Sequence, residues 1–100
     1  MNCKFPLPCT NVPEMGNEKM QIQKIAGELD EVIEAWEYER TLGCETPPVD
    51  RAVASAHTDE EIADVITACV TLLNMRGVDA HGRAWLYRQV NEKNMRRGYL

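Results

Sequence analysis

The same pattern of apolar and acidic residues occurs twice in this chain, each time with the spacing of an α-helix. In residues 17–41 and again in residues 58–77, apolar side chains recur at steps of three and four, which indicates an amphipathic helix. They are Ile22, Ile25, Leu29, Val32, Ile33 and Trp36 in the first segment and Ile62, Val65, Ile66, Cys69, Leu72 and Leu73 in the second. Two amphipathic helices with equivalent apolar stripes are therefore predicted.

Each of the two predicted helices also carries a pair of carboxylates in the same phase relative to its apolar stripe. The pairs are Glu28-x-x-Glu31 and Glu61-x-x-Asp64, and the matching phase holds on a wheel of about 100° per residue. Packed side by side, the helices would bring the four carboxylates to one cleft. Such a cluster repels itself and raises its own pKa values, so it makes physical sense chiefly around divalent cations, of which magnesium or manganese suits oxygen ligands.

Breaker residues set the predicted boundaries of the first two helices. Gly43 and the pair Pro47-Pro48 end the first helix, and residues 50–57 are expected to form at most a short helical turn within the connecting loop. Thr58 is expected to open the second helix. Thr58-Asp-Glu-Glu61 also fits a capping box, which gives Glu61 a competing structural role as a partner of the helix's own N-terminal amide.

A third helix is predicted at about residues 79–97, and the chain shows no strand signal of note. Gly77 is expected to cap the end of the second helix and Asp79 to cap the start of the third. Residues 1–16 contain three prolines and a glycine, which predicts an irregular arm in front of a helical domain at 17–100. The fold class is therefore all-α, with main helices at about 17–41, 58–77 and 79–97.

Length, charge and cysteine content limit the class of protein. One hundred residues are the size of a single domain, and a chain this short is expected to be stabilised by association with a second copy. The net charge of −5 argues against nonspecific nucleic-acid binding, although residues 80–100 carry +4 and the rest −9. No apolar run approaches a membrane span, so a cytoplasmic protein without membrane partners is expected, with Cys3, Cys9, Cys44 and Cys69 as reduced thiols.

The carboxylate pairs resemble the motifs of MazG-like proteins, which belong to the all-α nucleoside triphosphate pyrophosphatase superfamily. Glu28-Leu-Asp-Glu31 in the first helix is similar to the family's Glu-x-x-Glu, and Glu61-Ile-Ala-Asp64 in the second to its Glu-x-x-Asp. Arg76-Gly-Val-Asp79 resembles the family's turn between its second and third helices. Val90-Asn-Glu-Lys93-Asn94-Met-Arg-Arg97 resembles its C-terminal segment, so the resemblance spans about residues 18–98.

The resemblance implies a magnesium-dependent enzyme that hydrolyses a nucleoside triphosphate to the monophosphate and pyrophosphate. Glu28, Glu31, Glu61 and Asp64 would hold the metal, with manganese as a substitute, and a glutamate would assist deprotonation of the attacking water. Lys93 and Arg97 would neutralise the phosphates, and Asn94 would hydrogen-bond to the sugar or phosphate. The resemblance also implies a homodimer or homotetramer in which a four-helix core comes from two subunits.

Two other functions fit the same residues. A phosphoribosyl-ATP pyrophosphohydrolase would keep the fold and the metal site and would ignore simple triphosphates. A non-catalytic helical module would carry solvated acidic faces, which are common on helices, and would use its apolar stripes to bind another protein.

Overall fold

The computed structural model describes residues 5–10 and 17–100, and its regular structure there is entirely helical. The helices are α1 (Glu18–Thr41), α2 (Pro48–Met75) and α3 (Ala80–Arg96). The predicted all-α class with three main helices is confirmed. None of these helices is both long enough and apolar enough to cross a lipid bilayer.

Capping residues fix three of the helix ends, and the caps at Gly77 and Asp79 confirm the prediction. The Asn17 side chain accepts a hydrogen bond from the Met20 amide at 3.0 Å and so begins α1. Asp79 does the same for α3, with its Oδ1 atom 2.9 Å from the Gly82 nitrogen. Gly77 follows α2 with a φ of +83°, the left-handed conformation that ends helices and that glycine adopts without a steric penalty.

The predicted start of α2 at Thr58 is wrong, because α2 begins ten residues earlier, at Pro48. Proline is well suited to the first helical position, where its fixed φ is helical and its missing N–H has no intrahelical partner to lose. The alanine-rich residues that follow continue the helix without a break. Thr58 lies inside α2, where its hydroxyl contacts the Ala54 carbonyl oxygen at 3.2 Å, so no capping box exists at this position.

Helices α1 and α2 form an antiparallel hairpin that is joined at both ends by polar contacts. Near the start of α1, the Gln21 side-chain amide donates to the Ala68 carbonyl at 3.0 Å. Near its end, the Thr58 hydroxyl donates to Glu39 Oε1 at 2.9 Å. The buried residues between the helices are mostly small, and they include Ala35, Ala54 and Ala68. Within the single chain the closest contact between the helices is thus made by small residues and not by the large side chains of the apolar stripes.

The apolar stripes instead lie exposed beside the contact between α1 and α2. We call this surface the apolar face; its largest side chains are Ile22, Leu29, Ile33, Trp36, Ile62 and Ile66, all close to half exposed. Around the axis of each helix, the apolar stripe lies about a quarter turn away from the direction of the other helix, and the sense of this rotation is the same in both. Because the two helices are antiparallel, both stripes therefore lie on the same side of the hairpin. The carboxylate pairs are rotated the opposite way and lie on the other side.

The chain is more open than a self-sufficient domain of its size. The radius of gyration is 16.7 Å, whereas a compact domain of 100 residues has about 13 Å. Helix α3 does not pack extensively along the hairpin, and a groove of about 640 Å³ separates it from α2. Of the arm, residues 5–10 form no helix or strand, and the Cys9 amide is held by the Thr71 hydroxyl at 2.9 Å. The rest of the arm lies outside the described residues.

The cysteines in the described part of the chain are free thiols. Cys9, Cys44 and Cys69 are all exposed and form no disulfide with one another. Cys3 lies outside the described residues.

Candidate functional site

Three of the four predicted ligands converge on the side of the hairpin opposite the apolar face. One carboxylate oxygen from each of Glu28, Glu31 and Glu61 lies within 4.8 Å of the other two. We call these three residues the acidic cluster. The antiparallel pairing places the middle of α1 against the middle of α2, and the i, i+3 spacing then aims Glu28 and Glu31 at Glu61.

Asp64 lies beside the acidic cluster and contributes its charge to it. It lines a cavity of about 200 Å³ together with Glu28 and Lys24, one turn along each helix from the cluster. The Asp64 side chain is exposed, although apolar residues flank it in the sequence. Lys24 went unpredicted as a site residue, although its position four residues before Glu28 places both side chains on one face of α1.

Burial and neighbouring negative charges raise the pKa values of two glutamates in the acidic cluster. Burial raises the pKa of Glu28 above its ordinary 4.5, and hydrogen bonding to Glu31 and the charges of Glu31 and Asp64 raise it further, against the opposing charge of Lys24. Burial also raises the pKa of Glu61, together with the charge of Glu31, while His57 lowers it. The cluster therefore favours bound protons or a bound cation over three free charges.

Glu61 has a carboxylate oxygen that no hydrogen-bond donor satisfies. Its side chain is 16% exposed, and its Oε2 atom is buried without any hydrogen-bond partner. A buried carboxylate oxygen without a donor is unfavourable, and a proton or a metal ion would satisfy it. The alternative that Glu61 serves as a capping residue is wrong, because the helix N-terminus is thirteen residues away at Pro48.

His57 is an additional neighbour of the cluster. Its Nε2 atom lies 3.5 Å from Glu61 Oε1, at the i, i+4 spacing of one helix. The two side chains meet because α2 is continuous through residue 57 and does not begin at Thr58. The other histidine, His81, lies in the first turn of α3 and is exposed.

The predicted substrate-binding residues lie on a different element. Lys93 and Asn94 are in the last turn of α3, and Arg97 follows as its C-cap. None of the three is among the residues that line the 200 Å³ cavity. Within the described part of a single chain, neither Lys93 nor Arg97 forms an ion pair with these carboxylates.

Neutralising Glu61 is expected to stabilise the metal-free protein. Because the folded-state pKa of Glu61 is raised, its protonated form contributes stability that is fully present below the ordinary pKa of 4.5 and is lost as the pH rises through the folded value. In chelator at pH 7.5, Glu61→Gln should therefore raise the Tm, and the difference from the wild type should shrink towards pH 5. The control is Glu60→Gln, which removes the exposed charge of the residue before Glu61 in α2. A lower Tm in Glu61→Gln than in Glu60→Gln would contradict this view of the cluster.

Searches of the chain against models of protein families, curated proteins and solved structures found no match.

Proposed function

We propose that this protein is a magnesium-dependent nucleoside triphosphate pyrophosphohydrolase of the MazG-like family. The observation that carries the proposal is the convergence of Glu28, Glu31 and Glu61, from two separate segments, at oxygen distances within 4.8 Å. These are residues that the resemblance assigns to the metal, and Asp64, the fourth, adds its charge to the same cluster.

The donor set fits a magnesium ion. Magnesium prefers oxygen ligands at about 2.0–2.1 Å, so that ligands on opposite sides of one ion are about 4 Å apart, close to the spread of the cluster. The buried, unpartnered Oε2 atom of Glu61 supplies a free ligand position, and the raised pKa values of Glu28 and Glu61 reflect a charge that a cation would offset.

The side chains of the cluster then have distinct tasks in hydrolysis. The chemistry that magnesium supplies when bound is polarisation of phosphate oxygens and activation of water. Glu28, Glu31, Glu61 and Asp64 would hold the ion, and a glutamate of the acidic cluster would accept a proton from the attacking water. The water oxygen forms a bond to phosphorus as the bond to the bridging oxygen between the α and β phosphates breaks, which releases the monophosphate and pyrophosphate.

The basic end of α3 is proposed to neutralise the substrate. Lys93 and Arg97 would pair with phosphate oxygens, and Asn94 would hydrogen-bond to the sugar or phosphate. Since these residues do not line the cavity within one chain, the proposal requires that α3 of the same or of a second copy close over the carboxylates in the assembled enzyme. Lys24, which lines the cavity, is a further cation within reach of a bound phosphate.

A homodimer or homotetramer is part of this proposal. The apolar face leaves Ile33 52% exposed, and the few buried hydrophobic residues of the described chain are three alanines and Val70. Packing the apolar faces of two hairpins against each other would build a four-helix core from two copies and remove this surface from water.

The proposal predicts chelator-sensitive release of pyrophosphate from nucleoside triphosphates. A panel of ribo-, deoxy- and damaged nucleoside triphosphates would be assayed with magnesium and with excess chelator. We expect several members to release pyrophosphate with magnesium and none to do so with chelator. If the protein cleaves only phosphoribosyl-ATP, that compound replaces nucleoside triphosphates as the proposed substrate. If it cleaves none of these compounds, the result favours the non-catalytic module.

A further inference from the structure

Residues 5–10 of the arm join two cavities on opposite sides of α2, and the hydrolysis proposed above gives them no role. We call this segment the strap. Phe5 and Pro6 line the groove of about 640 Å³ between α2 and α3, and Cys9 lines the cavity of about 200 Å³ between α1 and α2. Four residue steps of extended chain span at most about 14 Å, enough to cross a helix that is about 10–12 Å wide. The strap therefore passes over α2, from the apolar groove to the cavity beside the carboxylates.

A buried threonine fixes the strap at the cavity. The Thr71 hydroxyl accepts a hydrogen bond from the Cys9 amide at 2.9 Å and donates one to the Thr67 carbonyl at 2.8 Å. Thr71 is 2% exposed, so its hydroxyl satisfies both a donor and an acceptor away from water. Phe5, by contrast, stays 77% exposed at the groove. The fixed point of the strap is therefore the hydrogen bond between Cys9 and Thr71.

The strap supplies one wall of the cavity beside the acidic cluster. The other walls include Glu28 and Asp64, which are metal ligands in the proposed function, and the exposed Cys9 side chain lines the cavity with them. A ligand held by that metal would therefore lie against the strap. Binding sites enclose most of the surface of their ligands, and the strap excludes water from one more side. Pro6 and Pro8 restrict the backbone of the strap, which lowers the entropy lost when it is held in place.

We infer that the strap is a wall of the substrate site and that Thr71 is the positioning residue that holds it there. The inference rests on the proposed function for the identity of the ligand, a nucleoside triphosphate bound through magnesium. The strap takes no part in the chemical step, because the groups assigned to that step lie on the helices. Docking of the strap instead contributes to the affinity for the nucleotide.

Alkylation of the wild-type cysteines tests the wall without any substitution. The probes are α,β-methylene nucleoside triphosphates of each common base, whose α–β link cannot be hydrolysed, added with magnesium at ten times the dissociation constant measured by calorimetry. About nine-tenths of the sites are then filled, so iodoacetamide labelling of Cys9 should slow by about fivefold or more. Cys44, an exposed thiol in the loop between α1 and α2, should react at an unchanged rate. Tryptic peptides separate Cys9 from Cys3, because Lys4 lies between them.

Substitutions of Thr71 test the anchor. Thr71→Val keeps the shape of the side chain and removes the hydroxyl, which leaves the Cys9 amide without its acceptor and shifts the docking equilibrium by about tenfold. Hydrogen exchange of the Cys9 amide should therefore be about tenfold faster, and binding of the analogue should be about threefold or more weaker. Thr71→Ser, which keeps the hydroxyl, should restore both values to those of the wild type.

The outcomes distinguish this inference from the proposed function. Binding of an analogue that leaves the labelling of Cys9 unchanged would remove the strap from the site and leave the enzyme proposal standing. Equal binding by Thr71→Val would overturn the anchor, and tighter binding would show that the strap blocks the cavity, which also overturns the inference. Protection of Cys9 without pyrophosphate release from the matching triphosphate would support the strap and contradict the hydrolytic activity. If no analogue binds, the inference is overturned, and pyrophosphate release alone decides the proposed function.

Discussion

Replacing Asp64 by asparagine is expected to abolish magnesium-dependent pyrophosphate release while leaving the helical circular dichroism nearly unchanged. The loss should be about a hundredfold or more, because even residues that only support metal ligands contribute about 10- to 100-fold. The fold should survive, since the Asp64 side chain is exposed and forms no ion pair within the described part of the chain. The assay is pyrophosphate release from the best substrate of the panel, alongside far-ultraviolet circular dichroism.

Asp59→Asn provides the matched control for this substitution. Asp59 is exposed on the same helix and lies outside the acidic cluster, so the variant makes the same change in charge without removing a proposed ligand. Millimolar magnesium should raise the Tm of the wild type and of Asp59→Asn, because a ligand that binds the native state stabilises it by mass action. The rise should be smaller in Asp64→Asn. Full hydrolysis by Asp64→Asn would refute the metal-site assignment, and no effect of magnesium on any of the proteins would favour a non-catalytic module.

Helix termini with strong local chemistry were predictable from the sequence. Asp79 caps α3 with its side-chain oxygen, and Gly77 adopts the positive φ that a C-terminal glycine favours. The predicted start of α2 was wrong because the pair Pro47-Pro48 is consistent with two different structures. A proline ends a preceding helix and also begins the next one, and the local sequence does not say how soon that next helix starts.

The packing of the hairpin could not be read from the apolar pattern. The pattern identifies which surface avoids water, but it does not identify the element that covers that surface. In this chain α1 and α2 meet through alanines and through the Gln21 and Thr58 hydrogen bonds, which lie between the apolar and acidic stripes. A small-residue contact is a weak sequence signal, because alanine is also the commonest choice on a solvated helix.

The acidic cluster was more predictable than its surroundings. Equal phase on two antiparallel helices places both acidic pairs on one side of the hairpin, and Glu28, Glu31 and Glu61 converge because the observed contact borders the acidic stripes. Neighbours that depend on the register between the helices, such as the Gln21 contact with α2, required the structure. So did the direction of α3, because the turn at residues 76–79 constrains only the first residues of that helix and leaves its basic end unspecified.

Replacing Ile33 by aspartate is expected to dissociate the protein into single copies. Ile33 belongs to the α1 part of the apolar face, and burying an unpaired carboxylate in a core between two copies would cost several kcal/mol, enough to weaken association by about a hundredfold or more. By light scattering after size-exclusion chromatography, the wild type should have two or four times the chain mass of 11.4 kDa. Ile33→Asp should approach 11.4 kDa at the same concentration.

Tyr38→Asp tests whether the position, rather than the added charge, causes this dissociation. Tyr38 is 61% exposed on the same helix, but it lies on the side of α1 away from the apolar face, so its variant should keep the wild-type mass. A wild type that stays at 11.4 kDa at every concentration would contradict the oligomer. An oligomeric Ile33→Asp would place the interface elsewhere. If Ile33→Asp is both monomeric and inactive while Tyr38→Asp keeps its activity, the carboxylates of one chain do not suffice, as expected if a second copy completes the site.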